Sequence, residues 1–91
     1  MLGELIAGLD RPEIVHSVLA TLALPLREEL QRRAVAAGMT LEDFAAGAVH
    51  EFVESADDEL WFQLLTVMRK SEDPGLAAVQ TILRWVGEAD R

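Results

Sequence analysis

Apolar residues recur every three or four positions along most of the chain, a spacing that predicts a mainly helical protein. Gly38 and Thr40 separate two of the predicted segments, because glycine suits a helix C-terminus and threonine suits an N-cap. Ser55 or Asp57 begins the next segment, and Asp73 precedes the last, which opens with Pro74. Helices are therefore predicted over residues 2–9, 26–37, 41–54, 58–70 and 74–88.

The short apolar run that ends at Pro25 has two interpretations, since periodicity alone does not separate a short buried strand from a helix. In the first, residues 17–24 form a strand. One strand face then carries Val18, Ala20, Leu22 and Leu24, and the other carries Ser17, Leu19, Thr21 and Ala23. In the second, a helix begins at Pro12 and shares one apolar side among Ile14, Val15, Val18, Leu19 and Leu22.

The order of elements in residues 17–53 resembles that of ribbon-helix-helix proteins, in particular the antitoxin and plasmid-stability branch. The matching features are Leu22 before the turn, Leu30 in the first helix, the run Arg-Ala-Val-Ala-Ala-Gly at 33–38 and Thr-Leu-Glu-Asp at 40–43. The resemblance implies a homodimer with one short strand per chain, extended by a helical hairpin over residues 56–91. The implied dimer core contains Val18, Leu22, Leu30, Phe44 and Phe52. The alternative is an all-α helical bundle.

In that family the outer ribbon face enters the DNA major groove, and the second helix holds a phosphate at its N-terminus. Carried over to this chain, the DNA-facing residues are Ser17, Leu19, Thr21 and Ala23. The phosphate contacts fall on Thr40, Leu41 and Arg27. This face lacks the Arg, Lys, Asn or Gln that read bases well, and Glu42 and Asp43 follow the phosphate position. The implied DNA binding is therefore weak.

The net charge of −8 is concentrated in one region, because residues 41–59 alone carry −7. The acidic run 54–59 is either a solvated junction between helices or a docking surface for a basic partner. A basic cluster lies at Arg27, Arg32 and Arg33. Helical spacing predicts ion pairs between Glu28 and Arg32 and between Glu29 and Arg33.

Candidate catalytic and metal-binding groups are few. The chain contains no cysteine. Glu13 with His16 and His50 with Glu54 each offer only two metal ligands. Trp61, Phe62 and Trp85 are interpreted as core or dimer contacts rather than as a ligand pocket. We therefore expect no enzymatic activity, no metal and no cofactor.

The expected function follows from the resemblance and from charge. The main expectation is a homodimeric transcriptional regulator or antitoxin-type DNA-binding protein with a degenerate reading face. The alternative is an all-helical protein–protein interaction module that does not bind DNA. A second protein is expected to dock on the acidic region or on the C-terminal helices. We expect one soluble cytoplasmic domain over residues 1–91, because the apolar run 14–26 is shorter than a membrane span of roughly 20 residues.

Overall fold

Five α-helices make up the secondary structure of residues 12–88, the part of the chain that the computed structural model describes. Their bounds are α1 Pro12–Leu19, α2 Leu24–Ala36, α3 Leu41–Ser55, α4 Asp58–Arg69 and α5 Pro74–Glu88. Within residues 12–88 there is no β-strand, so the all-α alternative describes the fold. The helix predicted over residues 2–9 lies outside the described residues.

The strand predicted for residues 17–24 is wrong, and with it the fold class of one strand per chain. The segment begins inside α1, passes through a turn after Leu19, and ends at the first residue of α2. Helical spacing buries Val15, Val18 and Leu19 together, whereas a strand would have sent Val18 and Leu19 to opposite faces. A helix also pairs its own backbone groups, while an isolated strand needs a second strand to do so.

The junction between α2 and α3 is a Schellman motif built on glycine. Gly38 has a φ of 72°, a left-handed conformation that only glycine adopts without strain. The amide of Met39 donates to the carbonyl of Ala34 at 2.9 Å, and the amide of Gly38 donates to that of Val35 at 3.0 Å. These bonds satisfy carbonyls that the helix end leaves unpaired, and they end α2 where the sequence predicts.

Each of the last three helices begins at a side-chain cap. The hydroxyl of Thr40 accepts a hydrogen bond from the amide of Asp43 at 3.1 Å. Asp57 caps α4 by accepting from the amide of Leu60 at 2.9 Å, and Asp73 caps α5 by accepting from Leu76 at 3.2 Å. These caps confirm the predicted helix starts, and Asp57 rather than Ser55 is the residue that caps α4.

Two helices, α3 and α5, organise the packing. α3 contacts α1, α2 and α5, while α5 contacts the other four helices, α4 most extensively. Among residues 12–88, the fully buried large side chains are Val15, Leu30, Val49, Leu64, Val79, Ile82 and Leu83. Gly87 allows α2 and α5 to approach closely, because a methyl group there would overlap the end of the Leu26 side chain.

Candidate functional site

The residues predicted to face DNA do not form a reading surface. Leu19 is buried in the core, whereas Ser17, Thr21 and Ala23 are exposed. Thr21 donates its hydroxyl to the carbonyl of Val18 at 2.6 Å and accepts from the Gln80 amide at 2.7 Å. The threonine that was expected to contact a base therefore ties the turn after α1 to α5.

The residues predicted to hold a phosphate are engaged within the chain or lie beside carboxylates. The Thr40 hydroxyl is used as the helix cap, and Leu41 is half-buried against the core. Glu42, the next residue, has its Oε2 2.8 Å from Nδ1 of His16. That hydrogen bond lowers the pKa of the Glu42 carboxyl, and the charge of Arg27 adds to the effect. A second anion at this position would meet an ionised carboxylate.

The basic cluster on α2 is largely compensated by one carboxylate. Nε of Arg33 donates to Glu29 at 2.9 Å, as predicted, and Arg33 also donates to the carbonyl of Gly87 at 3.3 Å. Arg32 pairs with Glu29 rather than with the predicted Glu28. The two guanidinium groups, Arg33 foremost, lower the pKa of Glu29 to about 2. These arginines therefore stabilise the α2 surface and its contact with α5.

The residues predicted to form a dimer core pack within a single chain. Val18 and Leu30 are buried without any second copy. Leu22, Phe44 and Phe52 are half-buried and pack against the same core. The homodimer itself stays a prediction, but these five residues are at least partly buried without a second copy of the chain.

The histidines show no metal-site geometry. Nε2 of His50 lies 3.8 Å from Oε2 of Glu54, the partner that helical spacing indicates. Across the described residues, no three or more side chains of the His, Cys, Asp and Glu types converge on a metal position. In the same part of the chain, no helix has both the length and the apolar character that crossing a bilayer requires.

An open groove of about 540 Å³ runs along α3, and we call it the α3 groove. Its floor and walls come from one face of α3, from the loop before it, and from the neighbouring ends of α4 and α5. It is lined by Met39, Phe44, Gly47, Ala48, Glu51, Phe52, Ser55, Ala56, Leu60 and Val86. Within the described part of the chain, Glu51 is the one charged residue in this lining.

Small residues in the middle of α3 create the depth of the groove. Gly47 and Ala48 lie between the two larger side chains of Phe44 and Phe52, at helical spacing. A methyl group added at Gly47 would meet no atom within 4 Å. The floor of the groove is therefore accessible from solvent, and a partner side chain can enter between the two phenylalanines.

Phe52, which lines the groove, also belongs to an aromatic cluster. Phe52 lies 5.3 Å from Trp61 and 5.6 Å from Trp85, measured between ring centroids, with the first pair edge-to-face. Both tryptophans are half-buried and pack against the core, as predicted, whereas the neighbouring Phe62 is 70% exposed. Because Phe52 touches both indole rings, a ligand that moves Phe52 will change the tryptophan fluorescence.

Sequence reasoning found the apolar stripe of α3 but not the groove. The sequence predicts Phe44 and Phe52 in a dimer core, because their spacing shows an apolar face without showing what covers it. The missed signal is Gly47, a poor helix former placed in the middle of a 15-residue helix. Gly47 lies inside a helix, where the backbone does not require glycine. Its small size is therefore the property that explains its presence there.

The chain was compared with protein-family models, with curated proteins and with solved structures, and none of the three comparisons finds a match.

Proposed function

We propose that this chain is a non-enzymatic protein–protein interaction module that receives the apolar face of a partner helix in the α3 groove. The observation that carries the proposal is the groove itself, which is apolar, open and floored by Gly47 and Ala48. Amphipathic helices bind to hydrophobic grooves through side chains at positions i, i+4, i+7 and i+11.

The dimensions of the groove suit such a helix. Phe44 and Ser55 both line it, and Ser55 lies eleven positions after Phe44, which is about 16 Å at the rise of an α-helix. A partner helix laid alongside would present three turns over that distance. Each turn would bring one apolar side chain to the groove.

A small-molecule site is the second candidate, since the volume falls within the usual range for ligand pockets. Such pockets enclose most of the ligand and place several polar groups around it. The α3 groove is open, and of the lining residues that the structure describes only Glu51 and Ser55 offer polar side chains for contact. This lining favours a helix over a small polar ligand.

The proposal departs from the DNA-binding expectation for two reasons. The predicted reading face depended on a strand, and residues 17–24 instead form the end of α1, a turn and the first residue of α2. The most acidic part of the sequence, residues 41–59, contains α3 and the start of α4. We propose that duplex DNA is not retained even at about 50 mM salt, where phosphate contacts are strongest. The cytoplasmic location stays part of the proposal.

The test uses a synthetic helix of about 15 residues with leucine at positions i, i+4, i+7 and i+11 and glutamine on the opposite face. Binding is followed by amide chemical shifts and by the fluorescence of Trp61 and Trp85. We expect shifts at the groove lining and a change in fluorescence on addition of the peptide.

Two variants make this test specific. Ala48→Leu fills the groove and is expected to abolish binding, whereas Ala36→Leu adds the same bulk at an exposed position of α2 and should leave binding intact. The proposal is wrong if the groove residues show no shifts at about 1 mM peptide, the limit of weak binding. It is equally wrong if Ala48→Leu binds as well as the unaltered protein.

A further inference from the structure

Acidic residues are concentrated where α3 ends and α4 begins, beside residues that line the α3 groove. Five acidic residues occur within nine positions: Glu51, Glu54, Asp57, Asp58 and Glu59. All five are exposed. Glu51 lines the groove, and Glu54, Asp57 and Glu59 are each next in sequence to a lining residue. Any ligand in the groove therefore lies beside several negative charges.

Most of these charges are not neutralised within the described part of the chain. Glu51, Asp58 and Glu59 form no ion pair with any residue of 12–88, and Glu54 has only His50 at 3.8 Å. The situation differs on α2, where Glu29 binds two arginines. Among residues 12–88, no lysine, arginine or histidine lines the groove.

Helix stability accounts for only some of these acids. Asp57, Asp58 and Glu59 lie at the positive N-terminus of α4, where carboxylates are favourable. Glu51 and Glu54 lie near the negative C-terminus of α3, where carboxylates are unfavourable and where the last turn has no basic residue. α2 and α4 follow the opposite pattern, with Arg33 and Arg69 in their last turns. The acids at the end of α3 are therefore placed against the helix dipole, next to the groove.

The same charges argue against a second copy of this chain as the occupant. Each copy carries a net charge of −8. The five exposed acids beside the groove, which we call the acidic rim, are mostly without an ion-pair partner among residues 12–88. A second copy would bring more negative charge to this rim, and like-charged surfaces repel. An anionic lipid surface or a nucleic acid meets the same repulsion. The apolar floor and the acidic rim together fit a ligand that is apolar on one face and positively charged beside it.

We propose that the α3 groove binds a cationic amphipathic helix of a different protein, with its apolar face on Gly47 and Ala48 and its lysine or arginine side chains against Glu51, Glu54, Asp58 and Glu59. This inference rests on the proposed function and adds the charge of the partner to it. Exposed ion pairs are individually weak, so the apolar contacts supply most of the affinity and the rim selects the partner.

The test compares three synthetic peptides with the same leucine face. Their other positions carry lysine and arginine, glutamine, or glutamate. At about 50 mM salt we expect the cationic peptide to bind about tenfold more tightly than the neutral one, from several exposed ion pairs, and the acidic peptide to bind least. At about 500 mM salt the difference should shrink to about threefold or less, because salt screens exposed charges.

Two protein variants separate charge from groove. Glu54→Gln combined with Asp58→Asn and Glu59→Gln, three exposed acids outside the groove lining, is expected to remove the preference for the cationic peptide while the neutral peptide binds as before. Glu28→Gln with Glu72→Gln and Glu88→Gln removes the same number of exposed acids elsewhere and should keep the preference. Ala48→Leu should abolish binding of all three peptides.

Each contrary outcome has a distinct meaning. If the three peptides bind equally and Ala48→Leu abolishes them all, the cationic partner is rejected and the proposed function stands. If no peptide binds, or if the cationic peptide binds Ala48→Leu unchanged, the proposed function fails as well. If the unaltered protein self-associates and Ala48→Leu makes it monomeric, the occupant is a second copy and the inference is overturned.

Discussion

The two faces of α3 have similar residues, but one is buried within the chain and the other borders an open groove. The first face, which we call the covered face, carries Glu42, Ala45, Ala46 and Val49. It lies under α1, since His16 of α1 contacts Glu42, and its three apolar residues are buried. The second, the groove face, carries Phe44, Gly47, Ala48, Glu51 and Phe52 and stays open to solvent along the groove.

The difference between the faces means that an apolar stripe on a helix does not indicate which element packs against it. Both faces contain small residues at helical spacing, and both read as packing surfaces in the sequence. One lies against α1 of the same chain. On the other, Phe52 packs on Trp61 and Trp85, but Gly47 and the groove beside it stay open to solvent.

Val49→Asp should be the most damaging change on the covered face. It places an unpaired carboxylate at a fully buried position, which should lower the free energy of unfolding by about 3–5 kcal/mol. Urea unfolding followed by circular dichroism measures this loss. Gly47→Asp, on the groove face, should stay within about 0.5 kcal/mol of the unaltered protein. Equal losses in the two variants would contradict the contrast between the faces.

Ala45→Leu and Ala48→Leu make the same change three residues apart. At the buried Ala45 the larger side chain has no room and should cost about 1–3 kcal/mol. At Ala48 it enters the open groove and should change stability by no more than about 0.5 kcal/mol. The comparison uses thermal and urea unfolding of both variants. A stability loss at Ala48 as large as at Ala45 would mean that the groove is not open.

Gly47→Ala should stabilise the protein by about 0.5–1 kcal/mol, because alanine is the better helix former and its methyl group meets no atom. Gly87→Ala is the matched control in α5. There the methyl group would overlap the end of the Leu26 side chain, so that the gain is reduced or lost. Differential scanning calorimetry of the two variants should rank Gly47→Ala above Gly87→Ala, and the reverse order would be inconsistent with the open floor.

The weakest effect is electrostatic and belongs to the edge of the covered face. The hydrogen bond from His16 lowers the pKa of Glu42, so its stabilising contribution is present above the ordinary value of 4.5 and is lost as the pH falls below it. His16→Ala should raise the pKa of Glu42 toward 4.5, as measured by NMR of the side-chain carboxyl carbon. The pKa of Glu29 should stay at about 2, since Arg33 and Arg32 hold it. An unchanged pKa of Glu42 would show that the contact between α1 and α3 is not made in solution.

Local signals predicted much of the fold because helix ends are decided by neighbouring residues. Gly38, Thr40 and Asp73 each act within three or four positions, and the helices they limit begin and end close to the predicted residues. The error lay in residues 17–24, where no capping residue or glycine marks a boundary. A short apolar run suits a strand or a helix, and the choice depended on whether α3 and α5 were there to bury Val15, Val18 and Leu19.

The positions of the last four helices, the capping residues of the last three, and the concentration of negative charge in residues 41–59 can all be read from the sequence. These properties depend on interactions between residues a few positions apart. Only the tertiary structure decided that α1 is helical, that Val18 and Leu30 are buried in one chain, and that the groove face of α3 stays open. Those outcomes depend on which helix packs on which face, and spacing along one helix carries no information about the helix opposite it.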